Sequence, residues 1–189
     1  MSTPMTGRQQ QLFQALRARF LNDGFADFTI DSACKELHCS KSTMYALGRS
    51  RDEIIQKVVK DFFREITQHT EAALAGHATA QAALEAYFAA IFDALQPASS
   101  QFMRDLASES VAREIYATNT QAATQRILEL LRRGVRNSEF RPLPAEFVAR
   151  LIETTMSQIQ QGDYADALPI AQTYKELGEL VIYGIRQRS

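Results

Sequence analysis

The thirty residues from Gly24 to Glu53 constrain this chain more than any other segment. Gly24-Phe25 closes one helical pattern, and Thr29-Ile30-Asp31 opens a second. Leu37-His38-Cys39-Ser40 reads as a tight turn, Lys41-Ser42-Thr43-Met44-Tyr45 as a short helix, and Ser50-Arg51-Asp52-Glu53 as the start of a long one. Two helices joined by a turn of about three residues make a helix-turn-helix. In that unit the second helix enters the major groove while phosphate contacts fix its register. Hydroxyl and basic side chains at the start of a short helix suit the task, because free N–H groups and the helix dipole also attract phosphate.

The rest of the chain is helical in pattern, with glycine and proline as punctuation and no sustained strand-type alternation. Thr6 and Gln9 predict a capping box for a first helix over Gly7–Asn22, with Leu12, Leu16 and Phe20 on one face. Thr29 caps a second helix ending near Leu37, and Ser40 a third from Lys41 to about Leu47. A fourth runs from Asp52 to about His69 behind the capping box of Ser50 and Glu53. Further helices are expected over 78–96, 101–108 and 112–133 (ended by Gly134), then from Pro144 to Gln160 and from Pro169 to Arg186. The expectation is an all-α fold of about nine helices. A three-helix domain, 1–51, is joined by a long helix to a larger helical domain, 52–189.

The formal net charge of −1 decides nothing about a polyanionic partner, but its distribution is uneven. Residues 1–60 hold nine basic and six acidic side chains, and the remainder twelve and sixteen. A mildly basic head on an acidic body fits a nucleic-acid reader with a separate second function. Cys34 and Cys39, five apart on a helix and its turn, read as poorly placed for a disulfide and as small apolar packing residues. With only His38 adjacent, no metal site and no cofactor is expected. The first residues have no signal-peptide pattern, and no apolar run approaches the ~20 residues of a membrane span, so a soluble, cytoplasmic protein with no membrane partner is expected.

The segment over about residues 8–60 resembles the DNA-binding domain of TetR-family repressors. Its matching positions are Gly24-Phe25, Thr29-Ile30, Leu37-His38-Cys39-Ser40, Lys41-Ser42-Thr43-Met44-Tyr45 and Arg51-Asp52-Glu53-Ile54. Three positions depart from the family pattern. His38 stands for the turn glycine, Cys39 for a valine, and Gly48 for an aromatic that packs the recognition helix on the fourth helix. The resemblance implies that Thr29, Lys41, Thr43, Tyr45, Arg49 and Arg51 meet phosphates, with Ser40 at the helix start and Ser42 facing base edges. Double-stranded operator DNA is the implied partner.

Apolar and aromatic residues crowd the middle of the chain, and aromatic stripes at helical spacing are ordinarily core. The resemblance adds an effector pocket there, with Phe62, Phe63, Ile66, Tyr87, Phe88, Phe92, Phe102, Met103, Leu106 and Tyr116 as candidates for a small apolar or aromatic molecule. The last two long helices carry Leu151, Thr155, Met156 and Ile159, and Tyr174, Leu177, Val181 and Ile185. In the family such a pair forms a four-helix homodimer seam, to which Gly178 and Gly184 would allow close approach. An amphipathic pair can equally close its own core. An enzyme is disfavoured, since no His-x-x-x-His spacing, phosphate loop or nucleophile elbow is present. The expectation is a ligand-responsive homodimeric repressor. A helical small-molecule-binding or interaction protein with a decayed DNA-binding domain stays open beside it.

Overall fold

A computed structural model describes residues 5–187. Among them nine helices follow in the expected order: α1 (Gly7–Asp23), α2 (Ile30–Glu36), α3 (Lys41–Tyr45), α4 (Arg51–Leu74), α5 (Ala80–Leu95), α6 (Ser100–Ser108), α7 (Ser110–Arg136), α8 (Ala145–Gln161) and α9 (Ile170–Ile185). No strand occurs among the described residues. One antiparallel bridge pairs Phe140 with Arg186.

Local chemistry accounts for most helix starts. The Thr6–Gln9 capping box is complete, and Thr29, Ser40, Thr79 and Ser99 each accept a backbone N–H at the head of a helix. At α4 the Ser50 hydroxyl accepts from the Glu53 amide, while the Glu53 carboxylate reaches back to the Arg49 N–H, one residue earlier than a standard box. Helix α4 continues five residues beyond the expected end. Gly134 does not end α7 as expected but lies within it. A Cβ there would fall 2.2 Å from ring atoms of Phe140, so this glycine is the bed for that buried ring.

The chain divides into two compact units, and the division differs from the expected one at residue 51. The first unit is the chain up to Phe62 together with Pro97–Ile115, so α6 and the start of α7 pack with the helix-turn-helix. Its core holds Phe20, Phe25, Phe28, Phe62 and Phe102. Phe62 and Phe102 meet edge-to-face at 4.9 Å, and Phe25 meets Phe102 at 5.7 Å. The second unit is Phe63–Gln96 with the chain from Tyr116 on, where α9 packs along α5 and against α8. A Cβ at Gly178 would lie 2.6 Å from Phe88, so the close approach expected at a seam is made to α5 of the same chain. At Gly184 nothing lies within 4 Å.

Candidate functional site

The turn before α3 is built by His38, whose φ of 48° supplies the left-handed residue that glycine more often provides. The Cys39 amide donates to the Cys34 carbonyl at 3.0 Å and the His38 amide to that of Lys35 at 3.4 Å, which closes α2 as a Schellman motif. Ser40 then caps α3 through the Thr43 amide, and its hydroxyl is 2.8 Å from those of both Ser42 and Thr43. Only Met44 of α3 is buried. Thr29, Ser40, Lys41, Ser42, Tyr45 and Arg49 are exposed, and Thr43 is half-buried. Tyr45 is 47% exposed, a large ring left in solvent beside a row of hydroxyls and cations. Lys41 pairs with Asp31 at 2.8 Å, and this hydrogen bond raises the Lys41 pKa. Both side chains are solvated, so a phosphate can displace Asp31 at small cost.

Arg51, expected at phosphate, donates from its guanidinium to the carbonyls of Phe25, Ala26 and Phe28 at 3.2, 2.7 and 2.9 Å, with Asp52 and Glu109 as ion-pair partners. The planar fork binds backbone acceptors around the α1–α2 turn and is spent there. The N–H groups of the same turn point to Asp105 of α6, whose Oδ2 accepts from Phe25 and Ala26 at 2.5 and 2.9 Å. Gln101 donates to the other carboxylate oxygen at 2.7 Å. Gly24, at φ 81°, leaves the room, since a Cβ would stand 2.3 Å from Oδ2.

Gly48 has a reason of its own. A Cβ there would lie 2.9 Å from both the backbone nitrogen and Cγ1 of Ile54, so the first turn of α4 sits directly on it. The missing aromatic is replaced by closer backbone approach. Gly48→Ala should therefore destabilise the protein by about 1–3 kcal/mol and displace α3. Thermal unfolding and amide chemical shifts of 41–47 would check this. An unchanged Tm with unchanged shifts would contradict the fit.

The ten effector candidates are divided. Phe62, Phe102, Met103 and Leu106 are fully buried in the first unit, which also holds the helix-turn-helix. In the second unit Phe63 and Tyr116 face each other at 5.6 Å, and Ile66 is half-buried. Phe88 is buried against Gly178, and Phe92 lies under Lys175 with the ammonium 5.9 Å from the ring. Tyr87 is pushed up to about pKa 12, chiefly by burial. Sequence reading missed the polar residues beside these. Thr120 and Thr124 return their hydroxyls to the α7 backbone, and Gln160 donates to the Thr120 hydroxyl at 2.8 Å and to the Tyr174 hydroxyl at 3.2 Å. Burial also takes Tyr174 to about pKa 12 and Tyr116 well above its ordinary value. The Tyr116 hydroxyl is buried beside that of Tyr174, with which it interacts. The signal lay in the spacing of Tyr116, Thr120 and Thr124, polar residues four apart on an otherwise apolar stripe.

No protein-family model matches the chain, and no curated protein sequence matches it. Its structure is similar to that of a TetR-family transcriptional regulator from Agrobacterium tumefaciens, with a TM-score of 0.74 at 15% identity over 95% of this chain and 98% of that one. The chain has the TetR-family fold. It is also similar to the ketosteroid transcriptional regulator KstR2 of Mycobacterium tuberculosis (TM-score 0.68, 18% identity, 98% of both chains). A third similar structure is the fatty acid degradation regulator FadR from Bacillus halodurans (TM-score 0.72, 13% identity, 98% of this chain and 100% of that one).

The terminal helices divide their apolar residues between the chain's own core and solvent. Met156, Ile159, Tyr174 and Ile185, expected at the seam, are buried within the chain itself. They form the stripe by which α8 and α9 close their own core. Leu177, Val181 and Thr155 are half-buried on its flank. The large apolar side chains left in solvent are Phe147 and Leu151 on α8, 59% and 52% exposed, and Leu180 and Tyr183 on α9, 72% and 69% exposed. Among the described residues no helix is long and apolar enough to cross a membrane.

Proposed function

We propose that the protein is a homodimeric transcriptional regulator, a repressor, that binds palindromic double-stranded operator DNA and is released by a small neutral effector. The observation that carries this reading is the exposed row Ser40, Lys41, Ser42, Tyr45 and Arg49, with Thr43 half-buried among them, on a correctly capped short helix within a TetR-type fold. Lys41, Thr43, Tyr45, Arg49 and the Thr29 hydroxyl hold phosphates, and Ser42 faces base edges. The decayed-domain alternative drew on Gly48 and the weak net charge, and the fit of Gly48 against Ile54 speaks against the first of these.

Binding should fall steeply with salt, because released counterions dominate the affinity. Lys41→Ala should weaken binding to all sequences alike and lower the salt slope by about one, whereas Ser42→Ala should alter preference among sequences. Gel shifts with selected genomic fragments at several salt concentrations test both. No retarded fragment even at low salt would return the decayed-domain reading.

For the effector, the interior of the second unit sets the chemistry. Its buried polar side chains are Thr70, Thr120, Thr124 and Gln160 with three tyrosines, and among the described residues none of its buried side chains is charged. A buried ion would go unpaired there, so the ligand is neutral and chiefly apolar. A hydroxyl or carbonyl on it would find hydrogen-bonding groups in the cluster of Tyr116, Thr120, Gln160 and Tyr174.

A further inference from the structure

The spacing of Cys34 and Cys39 argues against a disulfide, and the folded turn reverses that argument. Cys34 is the third residue from the end of α2 and Cys39 the second residue past its cap. These are the two positions whose side chains a Schellman motif brings together, ordinarily as a hydrophobic contact. Here both are thiols. Their carbonyl and amide, 3.0 Å apart, hold the two Cα atoms within roughly 7 Å by covalent geometry alone. Disulfides span about 4.4–6.8 Å between Cα atoms. Both residues are free and only half-buried, so an oxidant can reach them.

We propose that Cys34 and Cys39 form an oxidisable dithiol inside the helix-turn-helix, and that its disulfide uncaps the recognition helix. The oxidant is a hydroperoxide. One thiolate attacks the O–O bond, giving a sulfenic acid and releasing the alcohol or water. The second thiolate then displaces hydroxide from that sulfur, forming the S–S bond and, with a proton, water. Two electrons pass from the thiols to the peroxide. Burial and the neighbouring Cys34 thiol raise the Cys39 pKa, which Arg8 opposes. Closing the bond draws the sulfurs from contact to about 2.05 Å, and the strain falls on Ser40, the next residue. Ser40 holds α3 through the Thr43 and Met44 amides.

The consequence for DNA rests on the function proposed above, so the test has a readout without DNA. The full-length protein is treated with hydrogen peroxide and examined by intact mass, peptide mapping and hydrogen exchange. Expected are a loss of two hydrogens, a peptide linking Cys34 to Cys39, and at least tenfold faster exchange at Thr43 and Met44, all reversed by dithiothreitol. Cys34→Ser and Cys39→Ser should each abolish the linked peptide and the exchange change. Gel shifts should show at least tenfold weaker DNA binding by the oxidised wild type alone. Stepwise oxygen addition without a linked peptide, disulfides only between molecules, or a disulfide with unchanged exchange would each overturn the proposal. Normal oxidation chemistry and exchange in a protein that binds no DNA when reduced would count against the function instead.

Discussion

Asp105→Ala should be among the most destabilising single substitutions in this protein, lowering stability by about 2–4 kcal/mol and Tm by roughly 5–15 °C. The carboxylate is buried and accepts two backbone N–H groups and the Gln101 amide. Removing it orphans the amides of Phe25 and Ala26 where water is excluded, and leaving a buried donor unpaired costs more than a made bond contributes. Asp105→Asn keeps one oxygen for that pair and should lose less than half as much. The turn is gripped from two sides, its N–H groups by Asp105 and its carbonyls by Arg51. Arg51→Lys should accordingly fail to restore what Arg51→Ala loses, since an ammonium cannot span three carbonyls. Thermal denaturation of the four variants decides it. Wild-type stability in Asp105→Ala would mean that the turn is held by its aromatic packing alone.

This clamp marks where sequence reading stops. The caps of Thr6, Thr29 and Ser40 were legible because a cap joins residues two or three apart. The turn at His38 was legible only through the resemblance, in which it stands for a glycine. Asp105 meets Phe25 across eighty positions, and nothing in its neighbourhood distinguishes it from a solvated carboxylate. The carbonyls that Arg51 binds were hidden for a related reason: a cation at a helix start serves phosphate or backbone carbonyls alike, and only the fold brings those carbonyls near. Gly134 and Gly178 were read as punctuation or seam, whereas each is a seat for a buried ring, Phe140 and Phe88. The stripes on α8 and α9 were found, but a helix apolar on two faces does not reveal which face its own core takes.

That ambiguity sets the second large effect, on assembly. Leu151→Glu and Leu180→Glu should each convert a dimer to a monomer, while Thr154→Glu, on an exposed polar position of α8, should not. Leu151 and Leu180 are 52% and 72% exposed in the single chain, so charge there does not disturb the protomer's core. Burying a leucine contributes about 1.5–3 kcal/mol, and in a two-fold interface every substitution occurs twice. A carboxylate facing its symmetry mate adds repulsion and desolvation. The dimer constant should therefore weaken by roughly 10²–10⁴-fold. Met156→Glu is the informative contrast: that side chain is buried within the chain, so the variant should unfold rather than dissociate. Operator affinity should fall with the dimer, because a recognition helix of five residues reads too little of the groove alone. Sedimentation equilibrium of the folded variants, beside gel shifts, separates the outcomes. A Leu151→Glu, Leu180→Glu double variant that remains a dimer of wild-type affinity would place the interface on another face of the protein.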